Sequence, residues 1–292
     1  MHEQLFALPV VNQITPYLSL RQTGDLPVIV VSHPKVRAAV TLQGAQLIAW
    51  QPSGEKPVIW LSENSPFTPG KAIRGGVPIC WPWFGPAGEP AHGFSRNLPW
   101  KLSAHDENEE GVMLTLVLES SEQSKKFWPH DFTLFARFRL GAHCEIELEA
   151  HGHYEATAAL HSYFAVADIS GVEVSGLGNS FIDKVNNGVQ GESADGRQRY
   201  PSRVDRIHTQ PQDCSLIHDS AGERIIEVYH HHQSDVVTWN PGAELSSSMA
   251  DMANDGYKTF VCVETAHVSK TMKSADEKPA RLGTTIRLRK KG

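Results

Sequence analysis

No apolar run in this chain approaches the length of a membrane-spanning helix. Nothing like a basic, apolar secretory leader opens it; the first residues, Met-His-Glu-Gln-Leu-Phe-Ala-Leu-Pro, place a proline inside a short apolar stretch. No Asn-x-Ser/Thr acceptor occurs. Cysteine is scarce, and Cys80, Cys144, Cys214 and Cys262 are too far apart for a zinc spacing or a redox pair. These absences point to a cytoplasmic protein with free thiols and no membrane contact. Positive charge is also short: 27 Lys and Arg stand against 33 Asp and Glu, a net charge of −6. That balance argues against nucleic acid, whose phosphates need a basic surface. A small anion is still allowed, because two local arginines can dominate their own pocket.

Common catalytic motifs are missing too. Gly176-Leu-Gly-Asn-Ser-Phe181 begins like a dinucleotide fingerprint but has no surrounding βαβ unit. Gly93-Phe-Ser-Arg-Asn97 fails as a nucleophile elbow at its last position. No His-Glu-x-x-His occurs, and Gly70-Lys71 lacks the rest of a P-loop. His230, His231 and His232 are consecutive, so on a strand they point to different sides and rarely share a metal; a solvated strand end is the expectation. No metal and no cofactor is expected.

What is present is alternation of period two. In Cys144-Glu-Ile-Glu-Leu-Glu-Ala-His151 the apolar residues take one face and the charged ones the other. Val112–Leu118 and Phe132–Leu140 repeat the pattern. Strands are also expected at 28–31, 36–42, 47–50, 58–61, 157–164, 172–175, 225–229, 236–239, 259–264 and 284–288. Helical period is weak; one turn at 124–127 and a short helix at 244–252 are expected. Many closely spaced strands without strand–helix alternation predict an all-β protein of large antiparallel sheets with few short helices. No linker or repeat interrupts it, so residues 1–292 are expected to form one domain.

Three segments break the background. Ala72–Arg96 packs glycines, prolines, Trp81, Trp83, Phe84 and Phe94 together, with Arg74 near one end and His92 and Arg96 near the other. Such a composition makes a shaped loop. The aromatics can be pocket wall or plain core; the charges suggest an anionic, polar ligand. In Ala158-Ala-Leu-His-Ser-Tyr-Phe164, His161 shares a face with Ala159 and Tyr163. Taken alone, such a histidine is more often a hydrogen-bonded structural residue than a catalyst. Thr259-Phe-Val-Cys-Val-Glu-Thr265 is an apolar strand ending in a carboxylate, with Glu264 on the face of Phe260 and Cys262.

Taken together and in order, several motifs resemble one family. They are Arg74-Gly-Gly-x-Pro-x-x-Trp-Pro-x-Phe-Gly85, His92-Gly-Phe-x-Arg96, Leu160-His-x-Tyr-Phe164, Asp205 within Arg-Val-Asp-Arg, Trp239-Asn-Pro241, and Val263-Glu-Thr265 after Gly-Tyr-Lys. The chain is similar, over essentially its whole length, to the D-hexose-6-phosphate mutarotases of the aldose-1-epimerase superfamily. The resemblance implies a galactose-mutarotase-like β-supersandwich. It implies His161 as catalytic acid and Glu264 as catalytic base, Arg74, Arg96 and Asp205 as substrate-binding residues, and His92 as a pocket histidine near the ring oxygen. Some relatives carry glutamine where this chain has Ala91, so one polar sugar contact is missing.

The implied reaction suits these side chains. A base takes the proton of the anomeric hydroxyl, an acid protonates the ring oxygen, the C1–C2 bond rotates in the open aldehyde, and the ring closes on the other face. Placing Glu264 beside His161 is expected to keep both ionised. The expected partner is a small hexose 6-phosphate bound by a monomer, without nucleotide. The alternatives are the same chemistry on an unphosphorylated hexose and a non-catalytic carbohydrate-binding protein. A glycosidase would need two carboxylates and leave His161 unexplained.

Overall fold

Alternating side chains give each strand one apolar face, and that face has to be covered. Three antiparallel sheets accomplish this. The computed structural model describes residues 1–290. A five-stranded sheet runs in chain order from Asn12–Gln13 to Gln46–Pro52. A nine-stranded sheet has Arg197–Arg199 at one edge and Lys101–Asn108 at the other. An eight-stranded sheet is built around the long strand Phe260–Ser274. Asp235–Asn240 pairs on one side of that strand, and Tyr154–Leu160 followed by Tyr163–Ala165 on the other. Large antiparallel sheets were the expectation, and the helices are short: His2–Ala7, Glu122–Phe127 and Gly242–Ser248 among the described residues. None of them is long and apolar enough to cross a membrane.

The period of two divides the long strand between two environments. Val261 and Val263, with Leu160 and Val236 from its neighbours, enter the main core beside Leu148, Val228, Leu282 and Ile286 of the nine-stranded sheet. Each fully buried valine or leucine contributes roughly 1.5–3 kcal/mol, so this seam fixes the long strand's orientation. Phe260, Cys262 and Glu264 necessarily face the other way. On the first sheet, Leu5 of the N-terminal helix covers Val28, Val30 and Ile48.

Several expectations shift. Residues 58–61 make isolated bridges and not a strand, because they tie different partners: Val58 N–H donates to Trp50, Trp60 N–H to Tyr163. The strand expected over 157–164 is interrupted at His161, whose N–H leaves the ladder for the carbonyl of Pro78. The short helix starts at Gly242, ahead of the expected 244, and ends at Ser248. The helix at Glu122–Phe127 is set by a reciprocal cap between Ser121 and Ser124. His230 is not solvated: it is buried, with Nε2 2.9 Å from Ser215 Oγ and Nδ1 2.7 Å from Thr265 Oγ. Strands at Leu18–Thr23, Val204–His208 and Cys214–Asp219 carry too many polar residues to show a simple alternation.

Candidate active site

The register of the eight-stranded sheet assembles the site. Asp205 lies opposite Trp239, Trp239 opposite Cys262, and Cys262 opposite Tyr163. The adjacent row is Ile182, Ile207, Val237 and Glu264. Leu160 faces Thr265 and Tyr163 faces Cys262, so the same register sets His161 against Glu264. These rows share one face, away from the main core. Asp205, Trp239, Ile207, Val237 and Glu264 from these rows floor a cavity of about 570 Å³ that Arg74, Phe84, His92, His161 and Lys184 also line. That volume suits a monosaccharide phosphate.

Glu264 is not at a strand end. The strand continues to Ser274, leaving the carboxyl group in mid-sheet and 1 % exposed. Its Oε1 is 3.4 Å from Nε2 of His161. Glu264 Oε2 and His161 Nδ1 are buried and have no partner. Burial pushes the Glu264 carboxyl well above the ordinary carboxylate range, and Asp205 adds to this. Burial pushes His161 well below the ordinary imidazole range, helped by the neighbouring His92 ring and by the guanidinium charges of Arg96 and Arg74. Both directions favour the uncharged forms over the ionised pair expected from the sequence, because separated charges are poorly solvated here. The pair still holds one proton to move.

The loop from Ala72 to Arg96 forms the wall, and its glycines answer to packing. A Cβ on Gly76 would lie 2.3 Å from the Leu47 carbonyl oxygen, and one on Gly93 2.0 Å from that of Trp81. Their φ values are +67° and +75°, which favour glycine. The N–H groups of Gly76, Gly85 and Gly93 are all spent inside the protein. Trp81 and Phe94 are core, Trp81 edge-on to Phe132 and Tyr154. Trp83 braces the loop by donating to the Pro90 carbonyl. Of the loop aromatics, Phe84 is the one that lines the cavity.

The remaining candidates take distinct places. Arg74 reaches the cavity but is already held, with Nε donating to Asp251 at 3.0 Å and a terminal nitrogen to the Tyr163 hydroxyl at 3.0 Å. Burial disfavours its charge, yet Tyr163 and Asp251 more than offset this and raise its pKa. His92 accepts from Gly85 N–H at Nδ1, which leaves Nε2 as the donor of a neutral ring. Burial and the charges on Arg96 and Arg74 push it down to about 4. Arg96 does not line the cavity; its terminal nitrogen holds the Ala91 carbonyl at 3.0 Å. Asp205 lines the cavity, its pKa raised chiefly by burial. Two contributors, Lys184 and Asp251, were missed in the sequence, and a third, Trp239, stood in the Trp239-Asn-Pro241 motif without a role. Lys184 is exposed at the rim, on the face of Ile182; Trp239 supplies an aromatic wall; Asp251 fixes Arg74. The signal for Lys184 lay in the spacing Ile182-x-Lys184, had the strand been recognised.

A buried carboxyl–imidazole pair lining a polar cavity of a β-sandwich defines a site suited to acid–base chemistry, and comparison gives the family. Residues 27–283 match the family model described as aldose 1-epimerase, and the chain belongs to that family of carbohydrate isomerases. A relative from Salmonella typhimurium is 59% identical over 289 residues, covering 98% of both chains, and one from Escherichia coli is 58% identical over 294 residues, covering 100% of both. Both bear the name "Putative glucose-6-phosphate 1-epimerase". A crystal structure described as a "putative mutarotase" from Salmonella typhimurium superposes with a TM-score of 0.97 at 58% identity, covering 99% of both chains. Galactose 1-epimerase from Lactobacillus acidophilus, 14% identical, shares the fold with a TM-score of 0.73, covering 93% of this chain and 97% of its own. The sheets thus have the galactose-mutarotase-like arrangement.

Proposed function

We propose that this protein interconverts the α and β anomers of a hexose 6-phosphate, glucose 6-phosphate foremost. The observation that carries it is the His161–Glu264 pair, 3.4 Å apart at the floor of a cavity that an exposed lysine, Lys184, also lines. The single proton of the pair is what the chemistry needs. Sugar hydroxyls satisfy Glu264 Oε2 and favour its carboxylate, which leaves the proton on His161. Glu264 then takes the anomeric hydroxyl proton while His161 protonates the ring oxygen. After rotation about C1–C2 the two transfers reverse, and no net proton is gained or lost. Asp205 accepts from sugar hydroxyls, His92 donates near the ring oxygen, and Trp239 covers an apolar sugar face.

The phosphate falls to cations. Arg74 and Lys184 line the cavity; Arg74 is held by Asp251, whereas Lys184 forms no side-chain ion pair among the described residues. Arg96 supports the wall and adds positive potential close enough to bias His92 and His161. One observation favours the second reading, an unphosphorylated hexose: Arg74 is already engaged by Asp251 and Tyr163. Anomer exchange of glucose 6-phosphate and glucose, followed by NMR with the purified protein, decides between them. Faster exchange of the phosphorylated sugar supports the proposal; equal exchange supports the second reading. A single domain fits this reading, since one core cluster takes residues from all three sheets. A cytoplasmic monomer also fits, with four free cysteines suited to a reducing compartment.

A further inference from the structure

The face that carries the acid–base pair also carries a thiol. Cys262 lies two residues before Glu264 on the long strand and opposite Tyr163. It is fully buried and belongs to an aromatic cluster with Tyr163 and Phe260. Its Sγ, a ring nitrogen of His161 and a carboxyl oxygen of Glu264 all lie within 4.8 Å of one another. Glu264 Oε2 and His161 Nδ1 are buried without partners. Sulfur, nitrogen and oxygen donors therefore converge on one point, with His161 and Glu264 lining the cavity and Cys262 buried behind them, and no step of anomer exchange uses the sulfur.

We propose that His161, Cys262 and Glu264 capture a thiophilic divalent cation, zinc above all, and that capture switches the enzyme off. Imidazole nitrogen, thiolate and carboxylate are the donor types of tetrahedral zinc, at about 2.0–2.3 Å each. Donors at those distances stand roughly 3–4 Å apart, a spacing the 3.4 Å between His161 and Glu264 already meets. The sulfur has to close by a fraction of its present separation. The fourth position opens to the cavity, for water. Binding releases two protons to solvent, one from the Cys262 thiol and the one shared by His161 and Glu264. The metal then occupies both lone pairs that would have handled the substrate's protons. The ion is an inhibitor, and catalysis has no use for it. The switching rests on the mutarotase proposal; the capture does not.

Cobalt reports the capture without any assay. Titrating the metal-free protein with Co²⁺ should give one equivalent of a species with thiolate-to-cobalt charge-transfer absorption, abolished by Zn²⁺. Cys262→Ala should lose that band. If Cys262→Ala fails to fold, Cys262→Ser keeps the volume and exchanges soft sulfur for hard oxygen, and must lose it too. In the exchange assay, Zn²⁺ should inhibit competitively with glucose 6-phosphate and EDTA should restore the rate. Measured against its own metal-free rate, the Cys262 variant should need about tenfold to a hundredfold more Zn²⁺ for the same fractional inhibition. No band in the wild type, or a band that survives loss of Cys262, overturns the site. A Cys262-dependent band with zinc-insensitive exchange overturns the switch. A proper band on a protein that exchanges no sugar overturns the mutarotase proposal and leaves the metal site standing.

Discussion

Nε2 of His161 stands 3.4 Å from Oε1 of Glu264, while the other ring nitrogen and the other carboxyl oxygen are buried without partners. Buried polar atoms are rarely left so, because each costs roughly 1–3 kcal/mol. Two such atoms on side chains that face each other describe a site built for groups the substrate brings. The fold sustains the cost through the apolar seam behind the long strand, where Val261 and Val263 are wholly buried.

Glu264→Gln tests the base. The amide keeps the shape but cannot take a proton, so anomer exchange should fall by about 10²–10⁴-fold. Wild-type rates from a folded variant would remove Glu264 from the mechanism.

The same substitution should stabilise the protein, in a pH-dependent way. Burial raises the folded-state pKa of Glu264 above its ordinary value of 4.5. Its contribution to stability is therefore complete below that value and is lost as pH rises through the raised one. Glutamine does not titrate. The melting temperature of Glu264→Gln should exceed that of the wild type by a margin that grows from about pH 5 to about pH 8. A margin that shrinks over that range would mean that the carboxylate is favoured in the fold.

The pH–rate profile follows from the pair as a unit. The active form holds one proton between Glu264 and His161. A second proton has to enter against the lowered His161, so the acid limb should lie well below 6.5. The single proton leaves against the raised Glu264, so the alkaline limb should lie well above 4.5. Both limbs of kcat/KM belong to the coupled pair and to neither residue alone. An acid limb at or above 6.5 would show His161 to be charged in the resting site.

Much of this was legible in the sequence, and the exceptions have physical causes. Strands such as Phe132–Gly141 and Cys144–Gly152 announce themselves because one face meets the core and the other meets water. Val204–His208 stays hidden because its outward face lines a polar cavity, so Asp205 breaks the alternation that pattern reading relies on. His161 and Glu264 are visible as odd residues on apolar strands; their opposition is visible only once the register is known. The fate of the loop aromatics was undecidable in advance, since the same composition serves a pocket wall and a core. The one signal for Lys184 is its spacing from Ile182, which is read only once that strand is recognised, because an exposed lysine near an Asn-Gly turn is otherwise ordinary.

Asn240 gives the Trp239-Asn-Pro motif a structural meaning. Its side chain donates to the carbonyls of Tyr257 and Phe260, each at 2.9 Å, and accepts from Gly242 N–H. It fastens the strand bearing Trp239 to the start of the strand bearing Glu264. Asn240→Ala strands three buried backbone groups and should cost roughly 2–4 kcal/mol. Chemical denaturation measures this; a loss under about 0.5 kcal/mol, typical of a neutral surface change, would contradict it.

Lys184 should set the preference for phosphate. Arg74 spends its hydrogen bonds on Asp251 and Tyr163, and Arg96 spends one on the Ala91 carbonyl. Lys184 lines the same cavity, is exposed, and among the described residues forms no side-chain ion pair, so it meets a dianion without first breaking one. A charge-assisted hydrogen bond contributes roughly 1.5–3 kcal/mol. At about 1.4 kcal/mol per factor of ten, Lys184→Ala should lower kcat/KM for glucose 6-phosphate about tenfold to a hundredfold. Glucose never makes the contact and should lose little. Arg96→Ala, measured beside it, separates direct binding from support. An equal loss for both sugars assigns Arg96 to holding the loop that carries His92, whereas a selective loss makes it a phosphate ligand in its own right. If Lys184→Ala slows both sugars alike, the lysine serves Asp205 and not the phosphate, and the cation that recognises the anion must be sought at Arg74.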